Sequence, residues 1–390
     1  MVTVARMVLV LLVAFEQDAP VSWAEMEQFF APPPEYRGKL GDYRSVMTFD
    51  DGAPVKTREE WSRRREEIRS AWHRVMGEWP ALVEKPQIRH GAKEHVETFT
   101  RHKVEIEVAP GRFAGTQYLL VPDGKGPFPA VVVTWYGSED SAGLTEKYRG
   151  VVDFGYQLAK RGFVALCLGN VGQPLKNVQP LSSLAYAAAN ACNALAGLAE
   201  VDPARIGVVG HSFGGKWAMF ASCLHDRFAC AVWVDPGIVW NEKDSNANYW
   251  EKWYLGYDFD RPEQEQRKPG VVGEGRPRTG AYGTLVAKGH DLHELHALMA
   301  PRPFLVSGGG QDRPEHWTAL NRTIALNEFL GAKDRVAMTM RNGHTPTPES
   351  NAQVYAFFQH VLDHAALRFD ERHQDCGCGR MGSQAHRHGL

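Results

Sequence analysis

Apolar and polar positions change their period twice along this chain. Between Thr57 and Gly77 the apolar residues Trp61, Ile68, Trp72 and Met76 fall on one helical face, Thr57 and Glu60 form a capping box, and Gly77 with Pro80 stops the run. This predicts a helical N-terminal layer within residues 25–94, packed on a main domain. From about residue 102 the period drops to two. Val104, Ile106 and Val108 alternate with Glu105 and Glu107, and a second run, 116–121, follows the Pro110-Gly111 turn, as expected for an antiparallel hairpin at a sheet edge. Continuous apolar runs come next: AVVVTWY (130–136), FVALCLG (163–169), RIGVVG (205–210), CAVWVD (230–235) and PFLVSGG (303–309), with Arg335–Met340 as a final strand before a helix from Glu349 to Leu367. Uninterrupted Val-rich strands alternating with helices predict an α/β fold, a mostly parallel central sheet covered by helices on both faces, over residues 95–370. No repeat period and no phosphate-binding glycine fingerprint interrupts this pattern.

One connection is abnormally long. More than sixty residues separate Asp235 from Pro303, where a short loop, a helix and another loop would suffice, and such insertions usually carry function. This insertion (236–300, before the penultimate strand) is aromatic, with Trp240, Tyr249, Trp250, Trp253, Tyr254, Tyr257 and Phe259 close together. Two readings stand side by side: Trp250 and Trp253 stack on sugar rings, or the aromatics close a small core inside a lid.

Composition narrows the partners. The 390 residues are 43% hydrophobic and 23% charged with a net charge of −2, as in an ordinary globular protein, and no long basic run offers a footprint for nucleic acid or an anionic membrane. The opening MVTVARMVLVLLVAF places an arginine before an apolar run too short to span a bilayer, and Ser22 and Ala24 stand at the −3 and −1 positions of a cleavage site, so residues 1–24 read as a signal peptide and the protein as periplasmic or secreted. Glu16 and Asp18 suit an unstructured N-terminus instead. Cys167, Cys192, Cys223 and Cys230 lie in apolar segments and read as buried packing thiols. Cys376 and Cys378, with His373, His386 and His388, belong to a segment without apolar periodicity, 371–390, which reads as a flexible tail rather than a metal site. No cofactor is expected.

The candidate chemistry centres on Gly210-His211-Ser212-Phe213-Gly214. The G-x-S-x-G pattern alone is weak, but here it follows a strand directly and opens a helix, 215–224, which is the setting a nucleophile elbow requires. A serine hydroxyl needs a base, and His344, in a loop after the final strand, lies at the same end of the sheet. Two aspartates compete to orient that histidine. Asp312 follows the penultimate strand, the usual position, and is favoured; Asp235, which ends the strand before, is the alternative. The oxyanion needs two donors: the Phe213 N–H supplies one, and the turn after AVVVTWYGSE supplies the other from Tyr136, Gly137 or Ser138, or from the Tyr136 hydroxyl. A merely packing Tyr136 is the plainer reading.

With these residues in place, the stretch 95–367 resembles the α/β-hydrolase superfamily. DPARIGVVGHSFGGKWAMFASCLHDRFACAVW, HDLHELHALMAPRPFLVSGGGQD and WSRRREEIRSAWHRVMGEWP are similar to the acetyl xylan esterase and dienelactone hydrolase-like branch, with glucuronoyl esterases as neighbours. The resemblance implies a carboxylic ester hydrolase working through an acyl-enzyme on a carbohydrate ester. Glucuronoyl esterases carry an elbow S-R-x-G-K whose lysine contacts the sugar; Lys216 matches that lysine, while Phe213 replaces the arginine. A lysine in the first turn of a helix opposes the helix dipole, so Lys216 is expected to hold either a substrate oxygen or a protein carboxylate. A serine peptidase of the prolyl oligopeptidase type shares the elbow and the acid-histidine spacing, though its propeller exceeds the segment before residue 95. A catalytically inactive binding protein on the same fold is the third reading.

Overall fold

The computed structural model describes residues 21–273 and 275–363. The strands are β1 (Ile88–Val96), β2 (Phe99–Ala109), β3 (Arg112–Pro122), β4 (Phe128–Thr134), β5 (Val164–Leu168), β6 (Val201–His211), β7 (Cys230–Val234), β8 (Phe304–Gly308) and β9 (Val336–Met340). The α-helices are α1 (Trp23–Glu27), α2 (Arg58–Met76), α3 (Ser138–Ser141), α4 (Phe154–Ala159), α5 (Pro180–Ala196), α6 (Phe213–Leu224), α7 (Gly280–Ala287), α8 (His293–Leu298), α9 (Trp317–Phe329) and α10 (Pro348–Asp363). The strands form one sheet in the order β1-β2-β3-β5-β4-β6-β7-β8-β9, antiparallel through β1, β2, β3 and β5 and parallel from β5 onward.

The continuous apolar runs become the central strands because each is buried on both faces; β5, β7 and β8 have no exposed residue. One core lies between the sheet and α2, α5, α6, α8 and α9, and a second between the sheet and α1, α4 and α10. The capping box of Thr57 and Glu60 closes α2, and its buried stripe includes Trp61, Ile68, Trp72 and Met76.

Two features differ from expectation. The hairpin β2–β3 is not the sheet edge, because β1 pairs outside it, and the N-terminal segment before residue 95 is therefore not wholly helical. Ser22, at the −3 position of the expected cleavage site, caps α1 through a capping box with Glu25, Ala24 lies within α1, and Trp23 stacks on His360 of α10 at 3.3 Å. The apolar run of the expected signal peptide and the Cys/His tail lie outside the described residues. The insertion packs against α2, where Trp72 meets Trp240 and donates its indole N–H to Glu294.

Candidate active site

Parallel strands deliver the key residues to one edge. In the β6–β7 register His211 pairs with Val234, so Ser212 and Asp235 are the first residues beyond neighbouring strands. Both bend sharply, with φ of 54° at Ser212 and 52° at Asp235, a region that costs a non-glycine residue of order 1–3 kcal/mol and persists only where surroundings enforce it. At Ser212 the enforcement is visible. Its N–H donates to the Val234 carbonyl at 2.8 Å, and the Thr134 hydroxyl donates to the Gly214 carbonyl at 2.7 Å. A side chain at Gly214 would stand 1.9 Å from the Thr134 carbonyl oxygen, so strand and helix approach this closely only with glycine there.

His344, in the loop after β9, closes the relay. The Ser212 hydroxyl donates to Nε2 at 2.8 Å, and Nδ1–H donates to Asp235 Oδ2 at 2.6 Å. The carboxylate that meets His344 is thus Asp235, not the favoured Asp312. Asp235 accepts further N–H groups from Gly310 (2.9 Å), Gln311 (3.0 Å) and Asp312 (2.8 Å). Burial alone would push its pKa up, but the His344 bond, the Asp312 N–H and the nearby Arg341 together hold it below the ordinary carboxylate value. Asp312 is fully buried and turned the other way, accepting the N–H groups of Ile238 at 2.6 Å and Gly237 at 3.0 Å. The two loops clasp reciprocally: each aspartate takes the backbone donors of the other's loop.

The histidine is held from behind by residues that sequence reasoning missed. His211 Nε2–H donates to the His344 carbonyl at 2.9 Å, Arg341 donates to the same oxygen at 2.6 Å, and Arg341 also binds the Ser307 and Gly308 carbonyls. Burial, reinforced by His344, lowers the His211 pKa to about 3, so its ring stays neutral.

The oxyanion side joins two elements. Phe213 opens α6, where the first N–H groups lack intrahelical acceptors, and Tyr136 and Gly137 form the turn between β4 and α3, with Gly137 as its N-cap. The hydroxyl of Ser138 is engaged elsewhere, donating to the Thr116 carbonyl. The rings of Tyr136 and Phe213 stack with centroids 4.4 Å apart and planes 16° from parallel.

The expected substrate contacts are rearranged by the insertion. It covers α6 and buries Lys216, whose ammonium donates to the Asn246 carbonyl at 3.0 Å beneath the rings of Tyr249 and Tyr254. The partner of Lys216 is thus a backbone carbonyl rather than a carboxylate, and burial lowers its pKa to about 8. Trp250 is also buried, donating its indole N–H to the Gly270 carbonyl and packing on Tyr282, so it cannot be a sugar platform. Trp253 is 42% exposed. Among the described residues, no group of three or more His, Cys, Asp or Glu could hold a metal ion, and no helix is long and apolar enough to cross a membrane.

Comparisons with known proteins point the same way. The prolyl oligopeptidase family profile matches residues 188–270, which span the elbow and part of the insertion. Among solved structures, a glucuronoyl esterase from Solibacter usitatus is similar over 83% of this chain and 99% of its own, at 19% identity and a TM-score of 0.62. A carbohydrate esterase family 15 glucuronoyl esterase from Caldicellulosiruptor kristjansonii matches over 84% and 92%, at 20% identity and a TM-score of 0.59. A putative acetyl xylan esterase from Bacteroides fragilis matches over 77% and 80%, at 18% identity and a TM-score of 0.53. With its largely parallel sheet, its strained serine turn between β6 and α6 and these likenesses, the chain has the α/β-hydrolase fold.

Proposed function

We propose that this protein is a serine hydrolase that cleaves carboxylic esters of carbohydrates through an acyl-enzyme. The observation that carries the reading is the continuous relay Ser212–His344–Asp235, with contacts of 2.8 and 2.6 Å, at a strained elbow. His344 Nε2 takes the hydroxyl proton as Ser212 Oγ bonds the ester carbonyl carbon, and Asp235 keeps the proton on Nδ1 and stabilises the imidazolium. The negative oxygen of the tetrahedral intermediate is met by the N–H of Phe213 and an N–H of the 136–137 turn, where one donor typically contributes about 3 to 4 kcal/mol. His344 then returns the proton to the leaving alkoxide, leaving an ester on Ser212. Water repeats the cycle in reverse: His344 takes its proton, the hydroxide displaces Ser212, and acid and free enzyme result.

The carbohydrate part of the reading rests on the glucuronoyl and acetyl xylan esterase likenesses, and an extracytoplasmic location is supported by the apolar sequence MVLVLLVAF near the first residues. A panel of acetylated xylosides and of methyl glucuronate, the methyl ester of glucuronic acid, followed by release of acetate or methanol, tests it; Ser212→Ala should abolish release. The family profile over 188–270 favours peptide-bond cleavage as a second reading. Turnover of a proline-containing p-nitroanilide in preference to every ester would establish that reading instead.

A further inference from the structure

Tyr136 is the most exposed large apolar side chain among the described residues, at 59%, yet it stands at the catalytic edge of the sheet. Its position follows from register. Thr134 of β4 pairs with Gly210 of β6, so Tyr136 and Ser212 lie two residues beyond paired positions on adjacent parallel strands, which run about 4.8 Å apart. The ring is held on three sides. One face lies on Phe213 at 4.4 Å, the Trp135 ring stands nearly perpendicular to it at 5.0 Å and 78°, and its hydroxyl pairs with Tyr254, an interaction that opposes the upward push of burial on its pKa. With one face against Phe213, the 59% exposure falls on the remainder of the ring. Of the rings beside it, Phe213 is covered by Tyr136 and Tyr254 is buried, as is Trp250; Trp253, 42% exposed, lies beyond Tyr254.

We propose that the open face of Tyr136 is the ring-binding platform of the cleft, on which a pyranose ring of the ester lies beside Ser212. The proposal rests on the hydrolase reading above and adds the residue that selects ring-bearing esters. A ring already fixed by Phe213, Trp135 and Tyr254 gives flat, amphipathic contact area with little rotamer freedom left to lose on binding. Its neighbours Phe213 and Tyr254 extend the same wall toward Trp253, whose ring lies 6.3 Å from Tyr254.

The test compares kcat/KM for methyl glucuronate and an O-acetyl xyloside, both ring-bearing esters, with kcat/KM for ethyl acetate, which has no ring. Taking the ratio within each variant removes differences in the fraction of folded enzyme. In Tyr136→Ala and Tyr136→Leu the ring-to-ringless ratio should fall about tenfold to a hundredfold, mainly through KM, by analogy with aromatic stacking platforms. In Tyr136→Phe, which keeps the face and loses the hydroxyl, it should stay within about threefold of native, since stacking needs only the ring. An unchanged ratio in the alanine and leucine variants, or complete loss of all turnover in both, overturns the platform, because Tyr136 would then act on every ester alike. A phenylalanine variant as impaired as alanine overturns it too. A native chain that hydrolyses ethyl acetate without preferring either ring ester overturns the platform and leaves the hydrolase standing; one that hydrolyses none of the three overturns both.

Discussion

Replacing Asp235 by asparagine separates the two candidate acids, and the structure dictates how the amide must sit. Oδ1 of Asp235 accepts the N–H groups of Gln311 at 3.0 Å and Asp312 at 2.8 Å, while Oδ2 accepts that of Gly310 at 2.9 Å, a longer branch from Gln311 at 3.2 Å and the imidazole N–H; an NH2 group on the Oδ1 side would face two short backbone donors and on the Oδ2 side one, so the amide oxygen keeps the Oδ1 side. The NH2 group is thereby directed to the position of Oδ2, 2.6 Å from His344 Nδ1. It would donate to Nδ1, moving the imidazole proton to Nε2 and removing the lone pair that receives the Ser212 proton. In serine protease triads this exchange lowers kcat by about 10⁴-fold with the geometry intact, and a loss of that order is expected here. Asp312→Asn acts differently. Its carboxylate bridges the N–H groups of Gly237 and Ile238, and an amide can accept only one of them, so the expected effect is about 1 to 3 kcal/mol of stability with far less loss of kcat. Steady-state kinetics on p-nitrophenyl acetate, with thermal melts on the same samples, measure both quantities. If Asp312→Asn lost as much kcat as Asp235→Asn without melting earlier, or if Asp235→Asn kept native turnover, the assignment of Asp235 would be wrong.

Because Asp235 has a lowered pKa in the folded chain, it stabilises the fold above the ordinary carboxylate range and loses that contribution as pH falls through its folded value; Asp235→Asn should therefore flatten the acid limb of a stability-against-pH curve. Lys216 has the opposite charge and a pKa lowered from 10.5 to about 8, so between those values the unfolded chain binds more protons and native stability rises with pH. Denaturant titrations should show the native chain gaining on Lys216→Met by an amount on the order of 3 kcal/mol across that window, and a gap independent of pH would show that Lys216 is not buried as described. Trp250→Ala should cost roughly 3 to 5 kcal/mol, as for a large core side chain, and melt early, while Trp253→Ala, at the surface, should leave the melting temperature close to native. Equal melting temperatures for the two variants would contradict the placement of Trp250 in the insertion's core.

What the chain reveals in one dimension depends on whether the cause is local. Strands β4 to β9 are legible because each is an apolar run, and α2 is legible because Thr57, Glu60 and Gly77 punctuate it. Strand β1 is not: its residues are exposed over nearly their whole length, and its backbone pairing with β2, not any apolar alternation, places it in the sheet. Within the site, Ser212 and His344 announce themselves through the elbow and the loop after the last strand. The choice between Asp235 and Asp312 is hidden, because both follow a strand at the same edge of the sheet, Asp235 directly and Asp312 four residues on, and it is Asp235, at a positive φ, whose carboxylate meets His344. Lys216 and Trp250 look like surface groups until the insertion folds over them. His211 and Arg341 leave no sequence signal, since their shared partner is a backbone carbonyl.

The central claim is that Ser212 carries the acyl group, and trapping that intermediate tests it most directly. After brief incubation with p-nitrophenyl acetate and an acid quench, peptide mapping by mass spectrometry should find one acetyl group on Ser212, absent from Ser212→Ala, together with a burst of p-nitrophenol equal to the enzyme present. Acetylation at another residue with Ser212 unmodified, or a Ser212→Ala variant that releases p-nitrophenol at the native rate, would contradict the account.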